Sequence, residues 1–252
     1  PPLAAYWQKG FNSPDGYESY LPSVIDFPFS KSIDLAIGKD SKPHNIKAIY
    51  YTLAQDFVYP EPFNNVIFLD NHDTERFYGT MGKDIRKYKM GFALLMINRG
   101  IPQMYYGAEI NLFGTRAKGD GDIRKDFPGG WAEDKRNAFT KNGRTKEENE
   151  LWDFCSNLLN WRKNNSTIHN GNLMQFNPLS DHVYSMFRYD DQKVIGLLIN
   201  PNEKQVNVDT KRYDELVKTQ KHYIDILDGK KKKWKNQLSI PAMGLRIIEF
   251  NL

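Results

Sequence analysis

The residues in this sequence best equipped for chemistry stand together in the run Phe68-Leu69-Asp70-Asn71-His72-Asp73-Thr74-Glu75-Arg76-Phe77. Asn71 brings an amide that both donates and accepts, His72 an imidazole, and Asp73 a carboxylate. Vicinal hydroxyls of a sugar ring can use all three. The same triplet also reads as a helix-capping aspartate beside a structural histidine, so the residues alone leave both readings open. Two-carboxylate glycosidases need a pair of acids about 5 to 9.5 Å apart, and Asp70, Asp73, Glu75, Glu109 and Asp122 are the visible candidates. Asp70 falls inside a strand end, which argues against a complete pair within this chain.

The elements that must position these residues follow from periodicity. Val66-Ile67-Phe68-Leu69 is apolar on both faces, as a strand in a covered parallel sheet requires, and predicts a strand over 65–69. It ends where the Asn-His-Asp triplet begins, at the carboxyl end where parallel α/β folds gather their active sites. A helix is expected from about Asp84 to Arg99, stopped at Gly100, with a third strand opening at Ile101-Pro102-Gln103-Met104-Tyr105-Tyr106. Upstream, a strand is expected within 21–29, followed by a helix near 43–57 in which Ile46, Ile49, Tyr50, Leu53 and Phe57 recur behind Ser41 as N-cap. Thr145-Lys146-Glu147-Glu148 is a capping box, opening a helix whose apolar face is Leu151, Phe154, Cys155, Leu158 and Leu159.

Beyond Asn165 the period shortens to alternating strands over 182–189 and 193–200, with further strands near Tyr223, Leu238 and 245–250. The reading is an α/β region over 1–165 followed by a small all-β sandwich domain over 166–252. Three βα units would leave both edge strands unpaired, and a full (β/α)₈ barrel takes about 250 residues, so further strands are expected upstream. Pro1-Pro2-Leu3 carries no targeting pattern, and the compartment stays open, extracytoplasmic and periplasmic included.

Two further segments give the site a family. Gly100-Ile101-Pro102-Gln103-Met104-Tyr105-Tyr106-Gly107-Ala108-Glu109-Ile110 follows the Asn-His-Asp run, and the pair in this order resembles the seventh and eighth barrel strands of the α-amylase family, glycoside hydrolase family thirteen. Tyr6-Trp7 and Asp15 to Pro28 are similar to the stretch after that family's fifth strand. Gly119-Asp120-Gly121-Asp122-Ile123-Arg124-Lys125-Asp126-Phe127-Pro128-Gly129-Gly130-Trp131 resembles the loop after strand eight in the neopullulanase and cyclomaltodextrinase subgroup. The β-region matches the family's C-terminal domain only by position and strand pattern.

This resemblance implies the C-terminal part of a (β/α)₈ TIM barrel, and retaining hydrolysis of α-glucosidic bonds in starch-derived oligosaccharides, pullulan or cyclodextrins. The family's Asp nucleophile and Glu acid/base sit on strands four and five and are not in this chain, so the chain by itself is expected to be inactive. Asp73 resembles the third carboxylate, which grips two ring hydroxyls as oxocarbenium character develops and helps hold a neighbouring acid protonated. His72 resembles the imidazole that bonds the sugar in the cleavage subsite, with Asn71 beside it. Arg124, Asp122 and Trp131 belong to a loop over the same mouth, where Arg124 and Asp122 could bond hydroxyls and Trp131 could stack on a glucose ring or pack on its own loop. A glucosyl transferase or isomerase shares these motifs. A non-catalytic binding subunit is the third reading, and a retained transition-state carboxylate argues against it.

Composition narrows the partners. Lys and Arg exceed Asp and Glu by four, partly through Lys230 to Lys233 after Asp228-Gly229, which reads as a solvated hairpin tip rather than a nucleic-acid face. The most apolar stretch, Gly91 to Ile97, is too short to span a bilayer. Cys155 is the single cysteine and is expected to fill core space, so no internal disulfide exists. His44, His72, His169, His182 and His222 are scattered without zinc spacing, so no cofactor is expected here; calcium, common in the family, takes its ligands from upstream segments. Exposed barrel strands predict self-association.

Overall fold

The computed structural model describes residues 3–252. Its first half is built on short parallel strands. β1 (Val66–Phe68) pairs in parallel with β2 (Ile101–Gln103), and Ile25 makes an isolated parallel bridge to Val66 on the other side. The strand expected within 21–29 is therefore reduced to one bridge, held by Val66 N donating to Val24 O and Asp26 N donating to Val66 O, both at 2.8 Å. What cuts it short is the immediate start of a helix. Asp26 accepts from Phe29 N at 3.0 Å as N-cap, and Pro28 favours the first turn, so the chain enters α1 (Phe27–Ile37) at once.

The helix expected over 43–57 is also shorter. A 3₁₀ turn over 43–46 leads into α2 (Lys47–Leu53), and a second turn follows at 56–58. Ser41 is not the cap, because its hydroxyl donates to Gly38 O at 2.7 Å, whereas the Asn45 side chain accepts from Lys42 N at 2.8 Å. Ile46, Ile49 and Leu53 are buried as their spacing requires, but Phe57 lies past the helix end and is 83% exposed.

After β1 come α3 (Phe77–Thr80) and α4 (Ile85–Ile97), the latter capped by Asp84, which accepts from Arg86 N. Gly100 is needed for a close approach: its φ is +101°, and a Cβ there would lie 2.6 Å from Asn65 O. A one-turn α5 (Asp120–Ile123) sits within the long loop after β2, before α6 (Lys146–Lys163). The capping box is present as read, with Glu148 N donating to Thr145 Oγ1 at 3.1 Å and Thr145 N to Glu148 Oε2 at 2.7 Å. Cys155 is buried on α6, and burial pushes its thiol pKa up.

The second half opens with α7 (Ser166–Asn170), followed by β3 (Asn172–Phe176), β4 (Tyr184–Tyr189), β5 (Lys193–Asn200) and β6 (Val206–Asp209). After α8 (Asp214–Val217) come β7 (His222–Asp225), β8 (Lys230–Lys233), β9 (Gln237–Ile240) and β10 (Gly244–Asn251). Six strands form one antiparallel sheet in the order β3-β4-β5-β10-β7-β8, and β6 pairs with β9 separately. The Lys230–Lys233 run is β8 itself, an edge strand rather than a hairpin tip; lysines on an edge oppose pairing with another chain.

β5 corrects the expectation of strict alternation. Val194 and Leu198 face one apolar cluster with Phe187, Val208 and Ile240, while Ile195, Leu197 and Ile199 face another shared with α1, α2, α4 and α6. Both faces are covered, so the strand reads as a continuous apolar run although its neighbours are antiparallel. Gly196 makes room for the Phe187 ring opposite it, where a Cβ would stand 2.5 Å from Phe187 Cε1. One apolar core thus runs from the helices onto the sheet, spanning the boundary expected between residues 165 and 166.

Candidate functional site

The site begins where β1 stops. Asp70 is almost fully buried and accepts from Phe77 N at 2.9 Å, which pins the start of α3 back onto the strand end. Burial raises its pKa to about 6, opposed by the bond from Phe77 and by the Arg76 guanidinium. Between these anchors the chain makes a tight turn: Asp73 N donates to Asn71 Oδ1 at 2.8 Å, and Asn71 N donates to Thr74 Oγ1 at 2.9 Å. The turn leaves His72 and Asp73 projecting, with their side chains 64% and 59% exposed.

The loop after β2 comes back to meet them. Arg124 donates through Nη2 to Asp73 Oδ1 at 3.1 Å and through Nε to the His72 carbonyl at 2.8 Å, and its Nη2 also lies 2.9 Å from Asp120 Oδ2. The other Asp73 oxygen lies 3.2 Å from His72 Nε2. Arg116 donates to the Asp73 carbonyl and, through its backbone N at 3.0 Å, to Glu75 Oε1. His72, Asp73 and Arg124 are thus brought together, and Asn71 shapes the turn from beneath.

Two expected residues stand apart from that group. Asp122 accepts from Thr115 N at 2.7 Å and pairs with Lys125 at 2.9 Å; these two bonds lower its pKa and commit its carboxylate to bracing the loop. Trp131 donates its indole N–H to Asp126 Oδ2 at 3.1 Å and keeps its ring 61% exposed. Glu109 is largely buried, and desolvation raises its pKa.

A residue that sequence reasoning passed over holds the two loops in place. Arg76 is buried, donates from Nε to Ile123 O at 2.7 Å and from Nη1 to Tyr106 O at 2.6 Å, and stacks its guanidinium 4.0 Å from the Tyr105 ring centre. It ties the β1 turn to both arms of the loop that delivers Arg124. Nothing in its spacing marks it; an arginine next to Glu75 reads as a surface residue. Below this level, Arg99 makes a bidentate pair with Asp56 (2.8 and 2.6 Å) and lies 2.8 Å from Asp26 Oδ2, a contact not aligned as a hydrogen bond. It joins α1's cap to the end of α4.

Among the described residues no group of three or more His, Cys, Asp or Glu side chains is placed to hold a metal ion. Nor is any helix among the described residues long and apolar enough to cross a membrane.

Comparison with known proteins agrees with this architecture. Residues 173–249 match the cyclo-maltodextrinase C-terminal domain. An α-amylase of Niallia circulans is 28% identical over 209 residues, covering 78% of this chain and 34% of the relative. A cyclomaltodextrin glucanotransferase of Geobacillus stearothermophilus is 28% identical over 200 residues, covering 77% of this chain and 25% of the relative. Among solved structures, an Anoxybacillus α-amylase superposes with a TM-score of 0.70 at 21% identity, covering 92% of this chain and 47% of that one. Over most of its length the chain is similar to members of the α-amylase family of glycoside hydrolases, and it spans about a quarter to a half of their length. More particularly, it corresponds to the C-terminal part of such a protein, with a mostly antiparallel region that matches the cyclo-maltodextrinase C-terminal domain.

Proposed function

We propose that this chain supplies the transition-state carboxylate and part of the sugar-binding wall of a retaining α-glucan hydrolase acting on starch-derived oligosaccharides, pullulan or cyclodextrins. On this reading β1, β2 and the Ile25 bridge are three neighbouring strands of a (β/α)₈ barrel. The observation that carries it is the convergence of Asp73, His72 and Arg124 from two loops at the carboxyl ends of parallel strands. Asp73 presents two oxygens at an open mouth, each met by an exposed partner. Exposed pairs of this kind hold by only about 0 to 1 kcal/mol, so two sugar hydroxyls can displace them. As positive charge spreads between ring oxygen and anomeric carbon, the fixed carboxylate strengthens its hold, which lowers the barrier rather than the ground state. His72 adds a hydrogen bond to the same sugar, and Arg124 restores Asp73's orientation between turnovers.

The nucleophile and the acid/base come from elsewhere in the full-length protein, so the chain alone has no turnover. Purified chain incubated with amylose, pullulan and β-cyclodextrin should release no reducing ends; sustained release would mean that the bond-breaking pair lies within these residues. Likeness to a cyclomaltodextrin glucanotransferase favours a second reading, transfer to a sugar acceptor in place of water. Product analysis with the full-length protein separates the two, since only transfer yields chains longer than the substrate.

A further inference from the structure

The positive charge of the chain is concentrated in one stretch. Residues 216–240 carry seven lysines and two aspartates, with no arginine or glutamate, a net of +5 in a chain whose total is +4, so the remainder is nearly neutral. Both aspartates are already engaged: Lys232 Nζ lies 2.7 Å from Asp225 Oδ2 and 2.6 Å from Asp228 Oδ2, and Arg246 Nη1 lies 3.1 Å from the same Asp225 oxygen. Lys218, Lys221, Lys230, Lys231, Lys233 and Lys235 are exposed and make no ion pair among the described residues.

The β7–β8 hairpin holds these lysines on a fixed frame. Its register pairs Tyr223 with Lys232, Ile224 with Lys231 and His222 with Lys233, and directly opposed residues share a face. Tyr223 is buried, so its face points inward and Lys232 turns with it to the two aspartates. Lys231 and Lys233 lie on the opposite face, beside the exposed His222. Trp234 N donates to Lys221 O at 2.8 Å, which sets Lys221 next to the strand. The Trp234 ring packs edge-on at 5.8 Å from Tyr223 and 5.0 Å from Phe250, fastening the hairpin to β10. Protection of a sheet edge accounts for lysines on β8. Lys218, Lys221 and Lys235 lie outside β8, and that role leaves them unexplained.

We propose that this basic face docks the protein peripherally on an anionic lipid surface, independently of the chemistry at Asp73. Lysine is a flexible, hydrated point charge without the planar fork by which arginine grips a single phosphate, so six lysines and no arginine suit a diffuse sheet of negative charge rather than one shaped anion. Tyr223, Trp234 and Phe250 are packed on one another rather than splayed to stack on nucleic-acid bases. In the turn that joins β7 to β8, Leu227 is 43% exposed, an apolar side chain placed to enter a headgroup region. Each lysine near an anionic leaflet strengthens binding about fivefold, so the set suffices for adsorption that salt reverses.

The test is sedimentation of the full-length protein with vesicles of phosphatidylcholine, alone or mixed with an equal part of phosphatidylglycerol. The anionic vesicles should carry the protein down and the neutral ones should not. Raising salt from about 0.05 M to about 0.5 M, which shortens the Debye length roughly threefold, should release it. The triple variant Lys231→Gln, Lys233→Gln, Lys235→Gln should keep the parent's melting temperature and bind anionic vesicles about 100-fold more weakly. Lys218→Gln with Lys221→Gln, off the edge strand, should weaken binding about 25-fold. A control of the same net charge as the triple, Lys135→Gln, Lys141→Gln, Lys163→Gln, replaces exposed lysines elsewhere and should bind as the parent does. Equal loss in both triples would reduce the effect to net charge and overturn the assignment to this face. So would absence of binding to anionic vesicles, or binding of a short DNA duplex in their place. A Lys231, Lys233, Lys235 triple that aggregates, together with a Lys218, Lys221 double that binds like the parent, would leave these lysines as edge protection alone and overturn the proposal as well.

Discussion

Arg124 grips the Asn-His-Asp turn twice, through the Asp73 carboxylate at 3.1 Å and the His72 carbonyl at 2.8 Å, across 51 and 52 positions of sequence. The two loops that meet there descend from adjacent parallel strands, so the strand pairing of Phe68 with Gln103 sets the distance over which that grip can form. Asp73 is oriented by a partner on a second loop while its oxygens stay open to solvent.

Asp73→Asn in the full-length protein keeps the shape and removes the charge. Turnover should fall by roughly 10² to 10³, equivalent to about 2.7 to 4 kcal/mol of transition-state stabilisation, with little change in substrate affinity. His72→Ala should cost only about 0.5 to 1.5 kcal/mol. Melting temperature should hardly move in either variant, because both side chains are exposed and their pairing is weak. A lowered melting temperature with an unchanged single-turnover rate would make Asp73 a loop brace instead.

Arg76→Met should behave in the opposite way. It leaves the carbonyls of Ile123 and Tyr106 without their donor in a buried setting, and each bond to a charged group is worth about 1.5 to 3 kcal/mol. Urea unfolding should show a loss of at least about 3 kcal/mol, and hydrogen exchange should rise across 105–124. A loss below 1 kcal/mol would remove Arg76 as the fastening between the loops.

Asp70 should impose a pH dependence on stability. Its carboxyl is raised from 3.8 to about 6 in the folded chain, so the native state binds a proton that the unfolded chain has released. Stability from this group is therefore fully present below about pH 4 and is lost as pH rises through 6, by on the order of 3 kcal/mol. Asp70→Asn keeps an acceptor for Phe77 N and removes the titration. The difference in unfolding free energy between parent and variant should change between pH 4 and 6.5; a constant difference would refute the assignment.

Ile25, Phe27 and Ile101 on or beside the short parallel sheet are about half exposed, as is Leu21. The chain by itself should bury that surface against a second copy, giving a concentration-dependent mass by light scattering and binding of an apolar dye to the dilute species. A monomer that binds no dye at high concentration would show that this surface is tolerated in water.

What the sequence alone determined is what local rules encode. The capping box at Thr145 and Glu148, the apolar β1, the helix after Asp84 and the β4–β5 hairpin all follow from periodicity and caps, because each depends on residues within a few positions of one another. The Asn71-His72-Asp73 run by itself left a capping and a binding reading open, and it became a candidate site only through its resemblance, together with Gly100 to Ile110, to a known family. Local rules also misled: the apolar run before Phe29 read as strand, although the Asp26 cap and Pro28 already directed a helix. Tertiary structure decided the rest. Only the folded chain shows that Asp122 turns to Thr115 and Lys125, that Trp131 binds its own loop, and that Arg76, unremarkable in sequence, is buried between loops 30 and 47 residues away. Those outcomes depend on which loops the parallel pairing of β1 and β2 brings face to face, a long-range condition that no window of neighbouring residues contains.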